Sequence, residues 1–281
     1  MKTLLDVLQL STKYLEEKGL EKPRRDVEEL LAYVLKLSRI ELYMQFDRPM
    51  EEKELILLRE LVKRKAQKEP VEYILGEVEF YHARFMLNPS VLIPRPETEI
   101  LVSHIVERLP QETLDVWDVC TGSGCIGISL KKARPQWSLT LSDISSDALT
   151  VAQKNALLNE TNVSFLQGDL LSPFSGKKAD VIVCNPPYVT TDEFNHLDAG
   201  VRNFEPQLAL ISGPTGFEFY ERLAQDGPRF LKPGGKVFFE MGMGMGSRIQ
   251  ALFSHPSWVK TEVINDWSGH NRFFFAEICL K

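Results

Sequence analysis

From Glu97 to the end of the chain, short runs rich in branched and aromatic residues alternate with stretches of helical apolar spacing, and no other feature limits the fold as tightly. The runs at 114–120, 138–144, 163–167, 180–184 and 236–241 read as strands. Parallel strands need a crossover between them, usually a helix, so this alternation predicts a doubly wound α/β sheet. The last two runs, about 259–265 and 272–280, have no helix between them. They predict an antiparallel hairpin at the sheet edge.

Ahead of that region the periodicity differs. Leu4, Leu5 and Leu8, then Val27, Leu30, Leu31, Val34 and Leu35, then Leu55, Leu58, Leu61 and Val62 recur at helical spacing. Gly19 reads as a helix stop, and Pro23 and Pro49 punctuate the gaps, predicting a small bundle of four or five helices. Between 71 and 96 the pattern turns to short β-type runs with Asn88-Pro89 as a turn signal, which reads as a hairpin joining two domains. The expected organisation is a helical domain over 1–72, a hairpin linker over 73–96 and an α/β domain over 97–281.

Charge narrows the partners. Residues 1–70 hold 15 Lys+Arg against 14 Asp+Glu, and the remainder 18 against 25, within a net charge of -6. A surface that follows a phosphate backbone usually carries a basic excess, so the balance disfavours nucleic acid as the main ligand. Cys120, Cys125, Cys184 and Cys279 form no CxxC pair and have no histidine at ligand spacing, so reduced cysteines and no metal are expected. With no export signal and no membrane-length apolar run, the expected address is the cytoplasm.

The segment "DVWDVCTGSGCIGISL" puts Gly122, Gly124 and Gly127 directly after a strand and at the start of a helix. Glycines there let the chain turn tightly, let a ligand approach the backbone and let the helix pack on the strand. Asp143 lies nineteen residues beyond Gly124, at the end of the next strand, where its carboxylate can accept both hydroxyl hydrogens of a ribose. Ser145, Ser146 and Asp147 read as the cap and first turn of a helix. Asp169 reads either as a rim residue on the adenine side or as a loop residue without a special role. A dinucleotide dehydrogenase and a methyltransferase using S-adenosylmethionine fit these features equally.

The end of the fourth strand separates them: "ADVIVCNPPYVTTDEF" stops at Asn185-Pro186-Pro187-Tyr188. In this type of sheet the ligand crevice lies at the carboxyl ends of the strands. Pro186 and Pro187 have no N–H, so the turn offers carbonyl oxygens with few competing donors, and Asn185 adds a side-chain oxygen. Such an acceptor-rich mouth suits an NH2 group held by both hydrogens, its out-of-plane electron density aimed at an electrophile. Tyr188 can cover the flat face of that group and exclude water. The nitrogen becomes acidic once methylated, so no strong general base is required. A dehydrogenase has no use for an acceptor-only mouth there.

"NPPY" after the fourth strand resembles methyltransferases acting on planar nitrogen. "EPVEYILGEVEFY", "VLIPRPETEILV", "NFEPQLAL", "GFEFYERL" and "LKPGGKVFFEMG", in that order, resemble the PrmC/HemK glutamine methyltransferases over nearly the whole chain. The resemblance implies a class I methyltransferase domain of Rossmann-like fold behind a helical domain. It implies transfer from S-adenosylmethionine to the side-chain amide nitrogen (N5) of the glutamine in the Gly-Gly-Gln loop of class I peptide chain release factors, the proteins of translation termination. Carried over by position, Cys120, Thr121, Gly122, Ser123, Gly124, Asp143, Leu170 and Asn185 would hold the cofactor. Asn185 and Pro186 would orient the substrate amide, and Pro187 and Tyr188 would shape its pocket.

Arg95, Glu97 and Thr98 of "PRPETE" would bring the linker near the cofactor; read without the resemblance they are helix-start charges and a polar first-turn residue. Two departures stand out: Cys120 occupies a place where the family more often has glycine, and Leu170 one where some members carry an aromatic. Gly242, Gly244 and Gly246 of "MGMGMGS" read as a strand-to-helix connection. The helical domain is expected to dock the protein substrate, since one glutamine offers little surface for discrimination. The chain is expected to be a monomer. The competing expectation is a methyltransferase for nucleic acid amino groups, adenine N6 or guanine N2, which would share Asn185 to Tyr188.

Overall fold

The computed structural model describes residues 2–279. The chain forms two compact units, residues 1–77 with 198–204, and residues 78–197 with 205–281.

The first unit contains α1 (Leu4–Glu17), α2 (Pro23–Leu35), α3 (Arg39–Tyr43), α4 (Glu52–Lys65) and α5 (Val71–Leu75). Thr3 and Asp6 form a capping box on α1, Pro23 is the first residue of α2, and Gly19 takes φ 73 after α1. Leu4, Leu8, Val27, Leu30, Leu31 and Leu58 meet in its core. Glu28 is buried there but not unpaired: Arg24 Nε and Tyr43 Oη donate to Oε1 at 3.0 and 2.6 Å, and Arg39 Nη2 donates to Oε2 at 2.5 Å.

The β-type reading of 71–96 needs correcting in part. Residues Val71–Leu75 are helical, bounded by Pro70 and by Gly76 at φ 77, both local helix-end signals. The hairpin is β1 (Glu77–Phe80) with β2 (Ala83–Met86), and it turns at Tyr81 and His82, with φ 45 and 60, rather than at Asn88-Pro89. Both turn residues are left-handed, as a type I′ hairpin turn requires, although neither is Gly or Asn.

The second unit continues through α6 (Pro96–Arg108), β3 (Asp115–Val119), α7 (Cys125–Ala133), β4 (Ser138–Asp143), α8 (Ser146–Leu158), β5 (Ser164–Gln167) and β6 (Ala179–Cys184). After β6 come β7 (Val189–Thr190), α9 (Thr191–Phe194), α10 (Ala199–Phe204, part of the first unit), β8 (Ile211–Gly213), α11 (Glu218–Phe230), β9 (Leu231–Glu240), α12 (Gly246–Leu252), β10 (Trp258–Asn265) and β11 (Asn271–Ile278). β9 begins five residues earlier than its apolar run suggested, because Leu231 pairs with Ala179 before the register shifts. Position 280, expected in the last strand, lies outside the described residues.

The main sheet has seven strands in the order β10-β11-β9-β6-β3-β4-β5. The members from β9 to β5 are parallel, and β11 runs antiparallel between β9 and β10. Side chains alternate between the two faces. Val116, Leu139, Leu141, Val181, Val183 and Phe238 pack with α6, α7 and the hairpin, whereas Trp117, Val119, Ile182, Cys184 and Phe239 pack with α11 and α12. From β3 the chain steps outward to β4 and β5, then returns to place β6 on the other side of β3. That reversal opens a crevice beyond the carboxyl ends of β3 and β6.

Candidate active site

The crevice is a cavity of about 310 Å³ in the second unit, within the range of small-molecule sites. Its wall includes Cys120, Thr121, Gly122 and Ser123 after β3, Asp143 at the end of β4, Gly168 to Leu170 after β5, and Asn185 and Pro187 after β6. Arg95 and Thr98 close another side, with Pro206, Leu208 and Ala209.

The glycine loop is built around an acid inside β3. Asp118 is fully buried, and its Oδ2 accepts from Thr121 Oγ1 at 2.5 Å and from the Gly127 N–H at 2.9 Å. Burial, against those two donors, pushes Asp118 up to about 7. A side chain on Gly127 would put a Cβ 2.7 Å from Leu141 Cδ1 and 2.9 Å from Asp118 Oδ2, so α7 sits this close to the sheet only with glycine there. Gly124 caps α7 at φ 83.

Asp143 is fixed by the backbone on both oxygens. The Gly122 N–H donates to Oδ2 and the Ser145 N–H to Oδ1, each at 2.9 Å, while burial raises the acid against those bonds. The carboxylate keeps acceptor capacity toward the cavity, which suits a pair of hydroxyls. Ser145 Oγ accepts from Ala148 N at 3.1 Å as the cap of α8, as its sequence position suggested. Asp169 stands on the wall and makes a two-point pair with Arg222, at 3.1 and 2.7 Å. Cys120 and Leu170 both hold left-handed backbone, φ 59 and 50, which is uncommon outside glycine and marks both flanks of the cavity.

Asn185 and Pro187 reach the wall, whereas Pro186 and Tyr188 are not among the wall residues. Tyr188 is half-buried behind them, with Cδ2 3.1 Å from where a Cβ of Gly242 would stand. Burial, with the nearby Glu240 carboxyl, pushes the Tyr188 phenol up to about 12. Gly242 and Gly244 lie in the connection from β9 to α12 and Gly246 opens that helix, in line with the strand-to-helix reading of "MGMGMGS".

Three acids that sequence reasoning missed support this site. Besides Asp118, Glu205 accepts from Arg95 Nη2 at 2.5 Å and from the Ile93 N–H at 3.1 Å. Glu240 accepts from Thr98 Oγ1 at 2.6 Å, and its burial pushes it up to about 7. Cys184 pairs with Phe239 across the sheet, so Glu240 ends its strand beside Asn185. Glu97, at the start of α6, is half-buried and not among the wall residues. Among the described residues there is no cluster of three or more metal-ligand side chains, and no helix is long and apolar enough to cross a membrane.

Comparison with known proteins gives a consistent picture. A family model described as the PrmC N-terminal domain matches residues 6–76, and one described as the methyltransferase small domain matches residues 96–202. The release factor glutamine methyltransferase of Chlamydia trachomatis serovar D is 40% identical over 273 residues, covering 96% of this chain and 93% of that one. Its counterpart from Bacillus subtilis strain 168 is 39% identical over 286 residues, 99% of each. Among solved structures, a methyltransferase from Pyrococcus furiosus shares the fold, with a TM-score of 0.53 at 16% identity over 69% of this chain and 87% of that chain.

Proposed function

The chain belongs to the family of release factor glutamine methyltransferases, and we propose that it methylates the side-chain amide nitrogen (N5) of the glutamine in the Gly-Gly-Gln loop of class I peptide chain release factors, with S-adenosylmethionine as methyl donor. The observation that carries this reading is one cavity whose wall includes Asp143 together with Asn185 and Pro187 of the turn after β6. A diol acceptor and an amide-holding mouth then face the same space.

The residues fit the cofactor. Asp143, held by two backbone N–H groups, has lone pairs left for a ribose diol, and Cys120, Thr121, Gly122 and Ser123 line the cavity while Gly124, not a wall residue, turns that loop into α7. Leu170 offers an apolar wall for the base and Asn185 borders the reacting end. When bound, S-adenosylmethionine supplies an electrophilic methyl group on a sulfonium.

The chain's own part is positioning. Asn185 Oδ1 and the Pro186 carbonyl accept the two amide hydrogens, which fixes the nitrogen and turns its out-of-plane density toward the methyl group. Pro186 and Pro187 bring no N–H to compete for those acceptors. Pro187 shapes the wall, and Tyr188 backs the turn and limits water. The first unit supplies the docking surface for the release factor. Its exposed Ile40 and Met44, one helical turn apart, are apolar surface of the kind such contacts use. The expected setting is the cytoplasm, with the enzyme acting as a monomer.

The test supplies labelled S-adenosylmethionine to the purified protein with release factors, ribosomal RNA and DNA in parallel, and locates the methyl group by mass spectrometry. Label on the Gly-Gly-Gln glutamine is expected. Label on nucleic acid alone would overturn the assignment.

A further inference from the structure

The thiols of Cys120 and Cys184 have no part in the chemistry above. Cys184 ends β6 and pairs with Val119, the last residue of β3, so Cys120 is the next residue along the neighbouring strand. Strand alternation would send the Cys120 side chain to the face of Val116 and Asp118. Its left-handed backbone, φ 59, turns it instead onto the opposite face, where it packs with Val119 and Cys184. Neighbouring strands lie about 4.8 Å apart and one residue of offset adds about 3.3 Å along the strand, which sets the two Cα atoms about 6 Å apart. That separation is one a disulfide spans. Cys120 lines the cavity together with Cys125, but Cys125 is buried and its thiol is pushed up to about 12 by that burial, so the half-buried Cys120 is the thiol more open to a small oxidant entering there. Cys184 is fully buried behind it, its thiol pushed up by burial and by the neighbouring Cys120.

We infer that Cys120 and Cys184 form an oxidisable thiol pair at the base of the cavity, and that joining them as a disulfide shuts the S-adenosyl ligand out. The inference rests on the reading of this cavity as the cofactor site. With hydrogen peroxide as oxidant, the Cys120 thiol gives up its proton and the resulting thiolate attacks one peroxide oxygen; the O–O bond breaks, leaving a sulfenic acid, and the departing hydroxide takes up that proton as water. The Cys184 sulfur then attacks the Cys120 sulfur. The S–O bond breaks, and the hydroxyl leaves as water with the Cys184 proton. Two thiols and one peroxide give one disulfide and two waters. The new bond ties the first residue of the glycine loop to the end of β6, beside Asn185, and changes both walls that the ligand would touch.

The full-length protein is treated with hydrogen peroxide, digested without reduction and mapped by mass spectrometry. In parallel, S-adenosylhomocysteine binding is measured by calorimetry before oxidation, after it, and after dithiothreitol. The expected result is a Cys120–Cys184 peptide pair lacking two hydrogen atoms, binding weakened at least tenfold, and recovery on reduction. Cys184→Ala should abolish the linked pair and stop oxidation at a Cys120 sulfenic acid, trapped by dimedone. Links made only by Cys125 or Cys279, or unchanged binding by the linked protein, would overturn the inference. Reduced protein that binds no S-adenosylhomocysteine would instead overturn the cofactor reading, and the peptide map would still decide whether the thiols pair.

Discussion

Arg95 Nη2 lies 2.5 Å from Glu205 Oε1, and the other oxygen of that carboxylate accepts the Ile93 N–H. The pair joins "IPRPETE" to "NFEPQLAL", whose Pro206, Leu208 and Ala209 line the cavity. The Glu205 side chain is only 1% exposed, so it depends on these donors. Arg95→Ala would leave a buried carboxylate short of its charge partner, and a loss of about 2–4 kcal/mol in stability is expected. Adding Glu205→Gln should restore part of it, because the Gln carbonyl still accepts from Ile93 and no charge remains buried. Urea denaturation of both singles and the double variant measures the coupling; strictly additive losses would mean the pair does not act as a unit.

Gly127→Ala should destabilise the protein by about 1–3 kcal/mol through overpacking of α7 on the sheet. The Cβ would meet Leu141 Cδ1 and Asp118 Oδ2, each under 3.0 Å away. The neighbouring Asp118 network would have to shift, so weaker S-adenosylhomocysteine binding should accompany the lower denaturation midpoint. A midpoint and affinity equal to the parent's would show that the helix yields at no cost.

Much of this arrangement is visible in the chain before folding, because it is local. The strands at Asp115–Val119 and Ala179–Cys184 are mostly apolar, interrupted only by Asp115, Asp118 and Asp180, close to the near-continuous runs expected of strands covered on both faces. The glycine loop and Asn185–Tyr188 follow those strands directly, so the topology alone brings them together. The supporting acids are hidden for the opposite reason. Glu205 and Arg95 are 110 residues apart, and Thr98 and Glu240 are 142 apart, so no local pattern pairs them. Asp118 had a local signal, an acid three residues before Thr121 and nine before Gly127, but inside "DVWDV" nothing else distinguishes it from an ordinary polar strand residue. The left-handed Cys120, Leu170, Tyr81 and His82 carry no glycine or asparagine to announce them; tertiary packing imposes those conformations.

Ile40→Ala with Met44→Ala should raise KM for an intact release factor at least tenfold. Methylation of a short Gly-Gly-Gln peptide should change less than twofold, since both residues lie in the first unit and are 75% and 79% exposed. A tenfold loss is about 1.4 kcal/mol, modest for two buried interface side chains. Equal effects on factor and peptide would remove this surface from docking.

Asn185→Ala should lower turnover by 10²–10³, about 2.7–4 kcal/mol of barrier, if its carbonyl is worth as much as a typical active-site hydrogen bond. Because Asp143 and the glycine loop are untouched, S-adenosylhomocysteine affinity should stay within a few fold of the parent's. Single-turnover kinetics with calorimetry separates the two quantities. Unchanged turnover would take Asn185 out of the mechanism, and lost binding would show that it acts mainly by holding the cofactor.

Glu240 gives a pH dependence with a definite sign. Its acid is raised from 4.5 to about 7 by burial, with Thr98 and Arg272 opposing. The folded state therefore holds this proton where the unfolded state has released it. The contribution is full below 4.5 and is lost as pH rises through about 7. Glu240→Gln keeps an acceptor for Thr98 and has no proton to lose. Relative to this variant, the parent should lose on the order of 2–3 kcal/mol of stability between about pH 5 and pH 8. Guanidinium denaturation across that range measures the difference. Parallel pH profiles for parent and variant would show that Glu240 titrates alike in the folded and unfolded chains, despite its burial beside Asn185.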